Sequence, residues 1–383
     1  MGQTVGLYLH IPFCQKKCDY CDFYSLPNED ERAKQAYAKA LAVHLTETAP
    51  ALTRHTVDTV YFGGGTPPVL GLGPLRTLMD LIRRRLPLAA GAEITLEANP
   101  GTVDGKLLKK LRREGFNRLS LGVQSLDDDL LALLGRTHNA RQARTAFEEA
   151  RAAGFGNIGV DLLYGLPGQT EEAWRATLRE VVAWGPEHIS CYGLKLEEGT
   201  PLWRDRAEYV FPDDDAQAEQ YLAAVSELEE NGYHQYEISN FARPARASRH
   251  NMKYWTLAPY IGLGPSACSD FGGRRWSYVR DVKGYVNGVL GGGDILHEME
   301  EIPVEARAAE YLMLRLRTAD GVSGNEYVRL YKKNFEPVER ALEAQAARGF
   351  ARSAGDRWRL TPEGFLLSNR IIADILEARA EEA

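Results

Sequence analysis

Cysteines, positive charge and long apolar runs are all scarce in this chain of 383 residues. The five cysteines are an odd number in a large chain, which disfavours a disulfide framework and favours a metal site. Lys plus Arg total 46 against 53 Asp plus Glu, so no bulk positive field predicts nucleic-acid binding. No apolar run approaches the ~18 residues of a membrane-spanning helix, and the N-terminus lacks the features of a signal peptide. We therefore expect a cytoplasmic protein that contacts a membrane at most peripherally.

Strand-like and helix-like segments alternate through the first two thirds of the chain. Short β-rich segments are separated by stretches with apolar residues at three- and four-residue intervals, as in amphipathic helices. This alternation predicts an α/β fold with a parallel sheet and right-handed crossovers. Because six such units are fewer than the eight of a complete barrel, we expect a partial (β/α)6 TIM-like barrel. The predicted strands are Val5–His10, Thr59–Gly63, Glu93–Ala98, Arg118–Val123, Ile158–Asp161 and His188–Leu194.

The alternation ends near Gly232, which divides the chain into three predicted parts. Residues 1–240 form the barrel, residues 241–295 a connecting segment, and residues 296–383 a small, mainly helical C-terminal domain. This last domain contains a β-hairpin around Gly355 and resembles a winged helix. Its residues 303–383 include 13 basic and 13 acidic side chains, whereas a domain that binds DNA normally has a basic face. We therefore expect a structural or substrate-covering role for it.

The strongest chemical signal is a C-x3-C-x2-C loop directly after the first predicted strand. It contains Cys14, Cys18 and Cys21. Three thiolates on one tight loop can bind three irons of a [4Fe-4S] cluster and leave the fourth iron open to another ligand. A structural zinc site requires four closed ligands, usually on two knuckles, and the other two cysteines are isolated in sequence. Zinc with His10 as the fourth ligand is the alternative.

At this loop the chain resembles the radical S-adenosylmethionine (SAM) enzymes. Five further motifs, in family order, make it similar to the oxygen-independent coproporphyrinogen III oxidase family within that superfamily. These motifs are Tyr8–Cys14, Tyr61–Pro67, Glu97–Pro100, Gly122–Ser125 and Gly165–Gln169. The resemblance implies a [4Fe-4S] cluster whose open iron is chelated by SAM. The positions that match the SAM-binding and neighbouring aromatic positions of the family are Tyr8, Tyr20, Gly64, Gly65, Thr66, Glu97, Gln124, Arg136 and Asp161.

The residues themselves point to the same edge of the sheet. Cysteines, glycines, Glu97 and Gln124 each follow the carboxyl end of a predicted strand, where ligand-binding groups gather in barrel folds. The glycine triplet that includes Gly64 lets the backbone approach a ligand closely, and a simple turn is the less favoured alternative. Glu97 ends an apolar strand, where an unpaired carboxylate is costly. An ion pair with Arg118 in the core is the structural alternative for this carboxylate.

Two departures separate the chain from the oxidase branch of the family. That branch has a further cysteine where this chain has Phe23, and an N-terminal extension where only thirteen residues precede Cys14. Both differences make the chain similar to the HemW-type haem chaperone branch. The resemblance implies haem binding, transfer of haem to acceptor haemoproteins such as respiratory ones, and a monomer or cofactor-dependent dimer. The alternatives are a radical SAM oxidase that decarboxylates a porphyrinogen and a zinc-stabilised scaffold without a cluster.

A second motif supports the chaperone branch. The residues His250, Asn251, Tyr254 and Trp255 match the H-N-x-x-Y-W haem-binding signature of that branch. Imidazole is a common haem ligand and a tyrosine can also serve, so Tyr254 competes with His250 for the role of ligand. Trp255 offers a flat apolar surface to a macrocycle. The structural alternative is a loop in which His250 and Asn251 bond to backbone groups and the aromatic rings pack in the core.

Overall fold

A single large sheet of twelve strands organises the computed structural model, which describes residues 3–381. The strands of the described residues are β1 (Thr4–Ile11), β2 (Phe13–Cys14), β3 (Leu26–Pro27), β4 (Thr56–Gly64), β5 (Leu88–Ala98), β6 (Arg118–Gln124), β7 (Ile158–Tyr164), β8 (His188–Gly193), β9 (His234–Glu237), β10 (Asn240–Ala242), β11 (Tyr260–Leu263), β12 (Cys268–Phe271), β13 (Arg274–Tyr278), β14 (Leu296–Glu301), β15 (Val322–Ser323), β16 (Ala351–Ala354) and β17 (Arg357–Leu360).

The helices alternate with the strands of the barrel and dominate the C-terminal part. They are α1 (Glu31–Thr48), α2 (Leu72–Arg85), α3 (Gly105–Arg113), α4 (Asp128–Leu133), α5 (Ala140–Ala152), α6 (Glu171–Trp184), α7 (Pro201–Arg204), α8 (Asp214–Glu230), α9 (Arg249–Trp255), α10 (Val282–Gly291), α11 (Val304–Arg315), α12 (Gly324–Tyr331), α13 (Glu336–Ala347), α14 (Pro362–Leu366) and α15 (Ser368–Glu381). Within residues 3–381, none of these helices combines the length and apolarity that crossing a membrane requires.

Seven neighbouring strands of the large sheet run parallel, in the order β11-β1-β4-β5-β6-β7-β8. All six strands predicted from the sequence are present, so the partial barrel is confirmed. Strands β10 and β9 add antiparallel at one edge, and β12, β13 and β14 add antiparallel at the other. Helices cover the outer face, as right-handed crossovers between parallel strands require.

The two faces of the parallel strands differ in polarity. In β6, Leu119, Leu121 and Val123 are fully buried in the apolar core that the helices share. The alternate residues Arg118 and Ser120 belong to the opposite face and line a cavity inside the barrel. Because side chains alternate between the faces of a strand, the same short segment supplies both the core and the wall of a polar site.

Both ends of helix α6 are fixed by capping residues. Thr170 accepts a hydrogen bond from the Ala173 amide at 3.2 Å and begins α6, as expected of an N-cap. Gly185 ends the same helix at φ +73°, in the left-handed region that favours glycine. These caps fix where the chain turns back towards the next parallel strand.

The segment 241–295 contributes to the sheet as well as connecting its neighbours. It contains α9, β11, β12, β13 and α10, and β11 pairs in parallel with β1 from Gly6 to Leu9. The signature residues His250 to Trp255 lie on the short helix α9, where the structural alternative had placed a loop. The division at 240 and 295 stays a prediction, because strands from both sides of each boundary join one sheet.

The C-terminal part has the predicted order of three helices, a hairpin and a final helical segment. Strands β16 and β17 form the hairpin, and β15 joins them in a separate three-stranded sheet. The final segment consists of two helices, α14 and α15, instead of the single helix expected from Thr361 onwards. This arrangement packs α15 against both α13 and α11 and places α11 next to α9.

Candidate functional site

The three cysteines lie on a loop that begins directly at the end of the first barrel strand. The short parallel pair of β2 and β3 fixes its start, and the Asn28 amide donates to the Cys14 carbonyl at 3.2 Å. The Cys21 amide donates to the Cys18 carbonyl at 3.1 Å, which closes a tight turn. All five cysteines of the chain carry free thiols, and the three on the loop are partly buried.

Two of the loop sulfurs accept hydrogen bonds from residues on other elements. Arg136 Nη1 donates to Cys18 Sγ at 3.3 Å, and the Thr66 hydroxyl donates to Cys14 Sγ at 3.5 Å. Such donors stabilise negative charge on sulfur, which is the form that binds metal. The donor set of three thiols with polar supports therefore fits a cluster held by three cysteines.

The zinc alternative fits less well. His10, its proposed fourth ligand, is 7% exposed and uses both ring nitrogens. Nδ1 lies 3.0 Å from the Tyr8 hydroxyl, and Nε2 lies 3.0 Å from the Tyr24 carbonyl. Across residues 3–381, no three His, Cys, Asp or Glu side chains gather closely enough to bind a single metal ion, whereas structural zinc needs four.

A cavity of about 500 Å³ opens beside the cysteine loop and extends into the barrel. Its volume lies within the ~300–1,000 Å³ of typical small-molecule sites. Twelve of the sixteen residues predicted to bind cofactors line it. They are Cys14, Cys18, Tyr20, Cys21, Gly64, Gly65, Thr66, Glu97, Gln124, Arg136, Asp161 and Asn251.

Glu97 is held at the cavity wall by two donors. The Tyr61 hydroxyl donates to Oε1 at 2.7 Å, and the Gly64 amide donates to Oε2 at 3.0 Å. Removal from bulk water raises the pKa of Glu97 to about 7, although both hydrogen bonds oppose that shift. A Cβ on Gly63 would lie 2.8 Å from Oε2, and Gly64 has φ +109°. The glycine run therefore makes room for this carboxylate as well as forming a turn.

The ion-pair alternative paired Glu97 with Arg118, but these two side chains are not hydrogen-bonded to each other. Arg118 is 1% exposed and lines the same cavity, but its Nε and Nη1 have no hydrogen-bond partner among the described residues. Its positive charge lowers the pKa of both Glu97 and Asp161, although burial outweighs that effect. Arg118 thus supplies positive potential to the cavity without closing it.

Asp161 and Arg136 form the opposite part of the wall. Asp161 accepts hydrogen bonds from Ser190 at 2.6 Å and Ser120 at 3.1 Å, and burial raises its pKa. Arg136 donates to Asn99 Oδ1 at 2.7 Å as well as to Cys18. The guanidinium group of Arg136 therefore connects the cysteine loop to the polar wall of the cavity.

Several cavity residues had no assigned role in the sequence analysis. Tyr61 and Asn99 belong to quoted motifs, but their positions alone did not mark them as partners of Glu97 and Arg136. The alternation of residues along β6 and β8 was the signal that could have identified them, because it places polar side chains on the face that points into the barrel. The residues that line the cavity without having been predicted include Tyr61, Asn99, Arg118, Ser120, His188, Ser190, Tyr192 and Lys195.

Four predicted binding residues do not line this cavity: Tyr8, His250, Tyr254 and Trp255. The Tyr8 ring packs between His10, Tyr61 and His250, with ring centroids 6.0 to 6.3 Å apart. His250 thus packs behind Tyr8 and Tyr61, whereas Asn251 of the same helix reaches the cavity.

His250 is fully buried and both of its ring nitrogens are used. Nδ1 lies 2.8 Å from the Thr59 hydroxyl, and Nε2 lies 2.9 Å from the Tyr254 hydroxyl. The His250 amide donates to Glu93 at 3.1 Å, so α9 is anchored inside the amino-terminal end of the barrel. Burial lowers the pKa of His250 to about 3, which keeps the ring neutral. A role as haem ligand stays a prediction and requires these hydrogen bonds to break.

Comparisons with known proteins agree with this geometry. The model of the Radical SAM superfamily matches residues 8–181, and the model of the HemN C-terminal domain matches residues 302–367. Coproporphyrinogen III oxidase (HemN) from Escherichia coli shares the fold, with a TM-score of 0.85, 24% identity and coverage of 98% of this chain and 90% of that one. The chain is thus a radical SAM protein by fold and by the cysteine loop that the fold presents.

Curated relatives define the family more narrowly. The heme chaperone HemW of Bacillus subtilis is 35% identical over 96% of this chain and 98% of its own length. The heme chaperone HemW of Escherichia coli is 34% identical over 96% of this chain and 97% of its own length. The chain belongs to the HemW family, as its resemblance to the chaperone branch predicts.

Proposed function

We propose that this protein is a haem chaperone that binds haem and transfers it to acceptor haemoproteins in the cytoplasm or at a membrane surface. The similarity to relatives named heme chaperones carries the proposal, because it spans nearly the whole chain. It includes both the cysteine loop and the H-N-x-x-Y-W helix. Haem binding, the acceptors and the oligomeric state, monomer or cofactor-dependent dimer, are all parts of this proposal.

The cavity is proposed to hold a [4Fe-4S] cluster on Cys14, Cys18 and Cys21, with SAM beside it. A cluster of this type supplies one-electron chemistry to the bound nucleoside. Glu97 offers a carboxylate to the ribose hydroxyls, because Tyr61 and Gly64 hold it at the wall. Asp161 offers a second acceptor, and Arg136 brings positive charge to the sulfur side. The chain's part is to bind and orient, and to keep water away from the reacting groups.

The residue two positions after Cys21 distinguishes the proposed chaperone function from porphyrinogen decarboxylation. The oxidase branch has a further cysteine where this chain has Phe23, whose ring is 70% exposed beside the cavity. An apolar ring cannot supply the thiol chemistry of that position. We therefore expect no coproporphyrinogen oxidase activity.

Two assays on the same anaerobically reconstituted protein test the proposal. Ferric haem titrated into the protein should give a saturable Soret band, and an apo-haemoprotein added afterwards should take up that haem. Coproporphyrinogen III incubated with SAM and a reductant should remain unconverted. Haem affinity no better than that of an unrelated apolar protein would overturn the chaperone function. Rapid decarboxylation would establish the oxidase alternative.

A further inference from the structure

Arg118 lies at the floor of the cysteine-side cavity, below the residues proposed to bind the nucleoside. It is the first residue of β6, so it lies at the end of the cavity away from the cysteine loop. The side chain is 1% exposed, and among residues 3–381 it makes no hydrogen bond and no ion pair. An unpaired charge is costly to bury. A role other than a direct contact within the chain is therefore needed to explain this cation.

The strand order places Arg118 between two carboxylates. Strand β6 lies between β5, which carries Glu97, and β7, which carries Asp161. Ser120 of β6 lies opposite Glu97 and donates to Asp161 at 3.1 Å. Arg118 is the next inward-facing residue from Ser120, a step of about 6.6 Å along the strand. Its charge is therefore close to both carboxylates although it bonds to neither.

The two carboxylates oppose each other's ionisation. Burial raises the pKa of Glu97 to about 7, and the nearby charge of Asp161 acts in the same direction. Burial likewise raises the pKa of Asp161, and the positive charge of Arg118 opposes the shift in both groups. An ionised carboxylate has more acceptor sites for hydroxyl groups than a protonated carboxyl group has. Two ribose hydroxyls should therefore bind best while both carboxylates are ionised.

The other titratable groups around Arg118 come from five elements: Tyr61 of β4, Glu93 of β5, His188 of β8, Tyr236 of β9 and His250 of α9. Glu93 has the largest electrostatic effect on Arg118 among them, but it already accepts the Arg249 and His250 amides at 3.2 and 3.1 Å. Burial lowers the pKa of both histidines and raises the pKa of both tyrosines, so these four side chains stay neutral. A purely structural role for Arg118 would consist of balancing Glu93 alone.

We propose that Arg118 is a positioning residue of the nucleoside site, whose charge keeps Glu97 and Asp161 together in the form that accepts hydrogen bonds from ribose. Arg118 acts through the two carboxylates and is not itself a ligand of SAM. The inference rests on the proposed SAM site in this cavity. Without the guanidinium, one of the two carboxylates would hold a proton at neutral pH and lose acceptor capacity.

Equilibrium dialysis of labelled SAM against anaerobically reconstituted protein, between pH 6 and pH 9, tests this role. Arg118→Met removes the charge but keeps most of the side-chain length. If the pKa of Glu97 rises by one unit, about a tenth of this carboxylate stays ionised at pH 7 instead of about a half, so SAM should bind about fivefold more weakly there. At pH 9 the carboxylate is ionised in both proteins, and the affinity should be within about twofold of wild type. Because SAM is the ligand in every titration, its own ionisation cancels from the comparison.

Two further variants separate charge from structure. Arg118→Lys keeps a positive charge at the floor of the cavity and should retain most of the wild-type affinity at pH 7. Arg141→Met removes an exposed arginine of α5 outside the cavity and should match wild type at every pH. Equal weakening of SAM binding by Arg118→Met at all pH values would show a structural role and overturn the proposal. A wild-type affinity of Arg118→Met at pH 7 would overturn it too.

A second pair of variants decides the matter where Arg118→Met does not fold. Asp161→Asn removes one of the two competing carboxylates and should move the pH midpoint of SAM binding downwards. Adding Arg118→Met to it removes one charge of each sign in total and should move the midpoint up again. A midpoint that the added substitution leaves unchanged would contradict the role of Arg118. Wild-type protein without measurable SAM binding would overturn the proposed cofactor site itself, whereas SAM binding that does not depend on Arg118 would overturn only this inference.

Discussion

The two ends of the barrel treat their polar groups in opposite ways. At the cysteine end, Arg118 and His188 line a cavity and leave buried nitrogens without partners. At the α9 end, His250 has both ring nitrogens bonded, and Lys253 pairs with Asp58 at 2.8 Å. Unpaired buried donors are costly unless something binds them. The cysteine end therefore keeps buried donors free for a ligand, whereas the His250 side chain at the other end is already fully paired.

The comparison teaches that a sequence motif does not reveal what its residues face. Both the cysteine loop and the H-N-x-x-Y-W segment match family signatures. The loop presents its thiols at the cavity, but α9 turns His250 into the barrel wall. Asn251 is the signature residue that reaches the cavity.

The largest effect should follow from removing a loop cysteine. Cys14→Ala, Cys18→Ala or Cys21→Ala should abolish the broad visible absorbance of the reconstituted cluster, because each cubane needs three thiolates. Wild-type protein should contain about four irons and four sulfides. Cys268→Ala removes an exposed thiol outside the cavity and should leave both values unchanged. Stoichiometric zinc in protein purified without oxygen would contradict the cluster assignment.

At the α9 end of the barrel, His250→Ala should mainly reduce the stability of the fold. The substitution removes two hydrogen bonds and leaves the hydroxyls of Thr59 and Tyr254 without their partner. We expect a loss of roughly 2–4 kcal/mol in the free energy of unfolding, measured with urea. Cluster content should be unaffected. His234→Ala, which removes an exposed side chain of β9, should stay within about 0.5 kcal/mol of wild type. An equally stable His250→Ala would show that α9 does not depend on this histidine.

The buried imidazole of His250 predicts that the free energy of unfolding depends on pH. Burial lowers its pKa from 6.5 to about 3 in the folded protein, so only the unfolded chain takes up a proton between these values. The stability due to neutral His250 is complete above pH 6.5 and is lost as the pH falls, by about 1.4 kcal/mol per unit. The deficit of His250→Gln relative to wild type should therefore shrink by about 2 kcal/mol between pH 7 and pH 5. A deficit that stays constant across urea titrations would contradict a buried neutral imidazole.

At the ligand-binding end, Glu97→Ala should weaken SAM binding about tenfold, the effect of one charged hydrogen bond. The measurement is the perturbation of the reduced cluster's electron paramagnetic resonance spectrum by SAM. Iron content should remain normal. Gly64→Val should weaken binding too, because its Cβ would lie 2.5 Å from the His10 ring at a strained φ of +109°. Glu148→Gln, which changes an exposed carboxylate outside the cavity that pairs with Arg144, should bind SAM as wild type does. Equal binding by Glu97→Ala would place the nucleoside elsewhere.

The smallest effect is expected for Asn251→Ala. This residue shares α9 with His250 but lines the cavity. Its loss should change SAM binding by only about threefold, because one neutral hydrogen bond is worth ~0.5–1.5 kcal/mol. Stability should stay close to that of wild type. A destabilisation as large as that of His250→Ala would show that the two ends of the barrel are not independent.

Much of the fold was predictable from local patterns. The six predicted parallel strands and the cap at Thr170 follow from apolar periodicity and turn residues. The parallel position of β11 beside β1 was not predictable, because that strand has only four residues and lies far along the chain. Pairing between distant segments depends on the assembled sheet and leaves little signal in a short strand.

The sequence alone provided the resemblance to the family and the edge of the sheet at which the three cysteines lie. Three thiols in one loop must be neighbours wherever the loop lies, and glycines after a parallel strand must lie at its carboxyl end. Only the tertiary structure decided which side chains face a ligand and which face each other. His250, Thr59 and Glu93 come from distant segments, and their hydrogen bonds exist only after the sheet has closed around α9. The unpaired nitrogens of Arg118 and His55 likewise become visible only when every neighbour is in place.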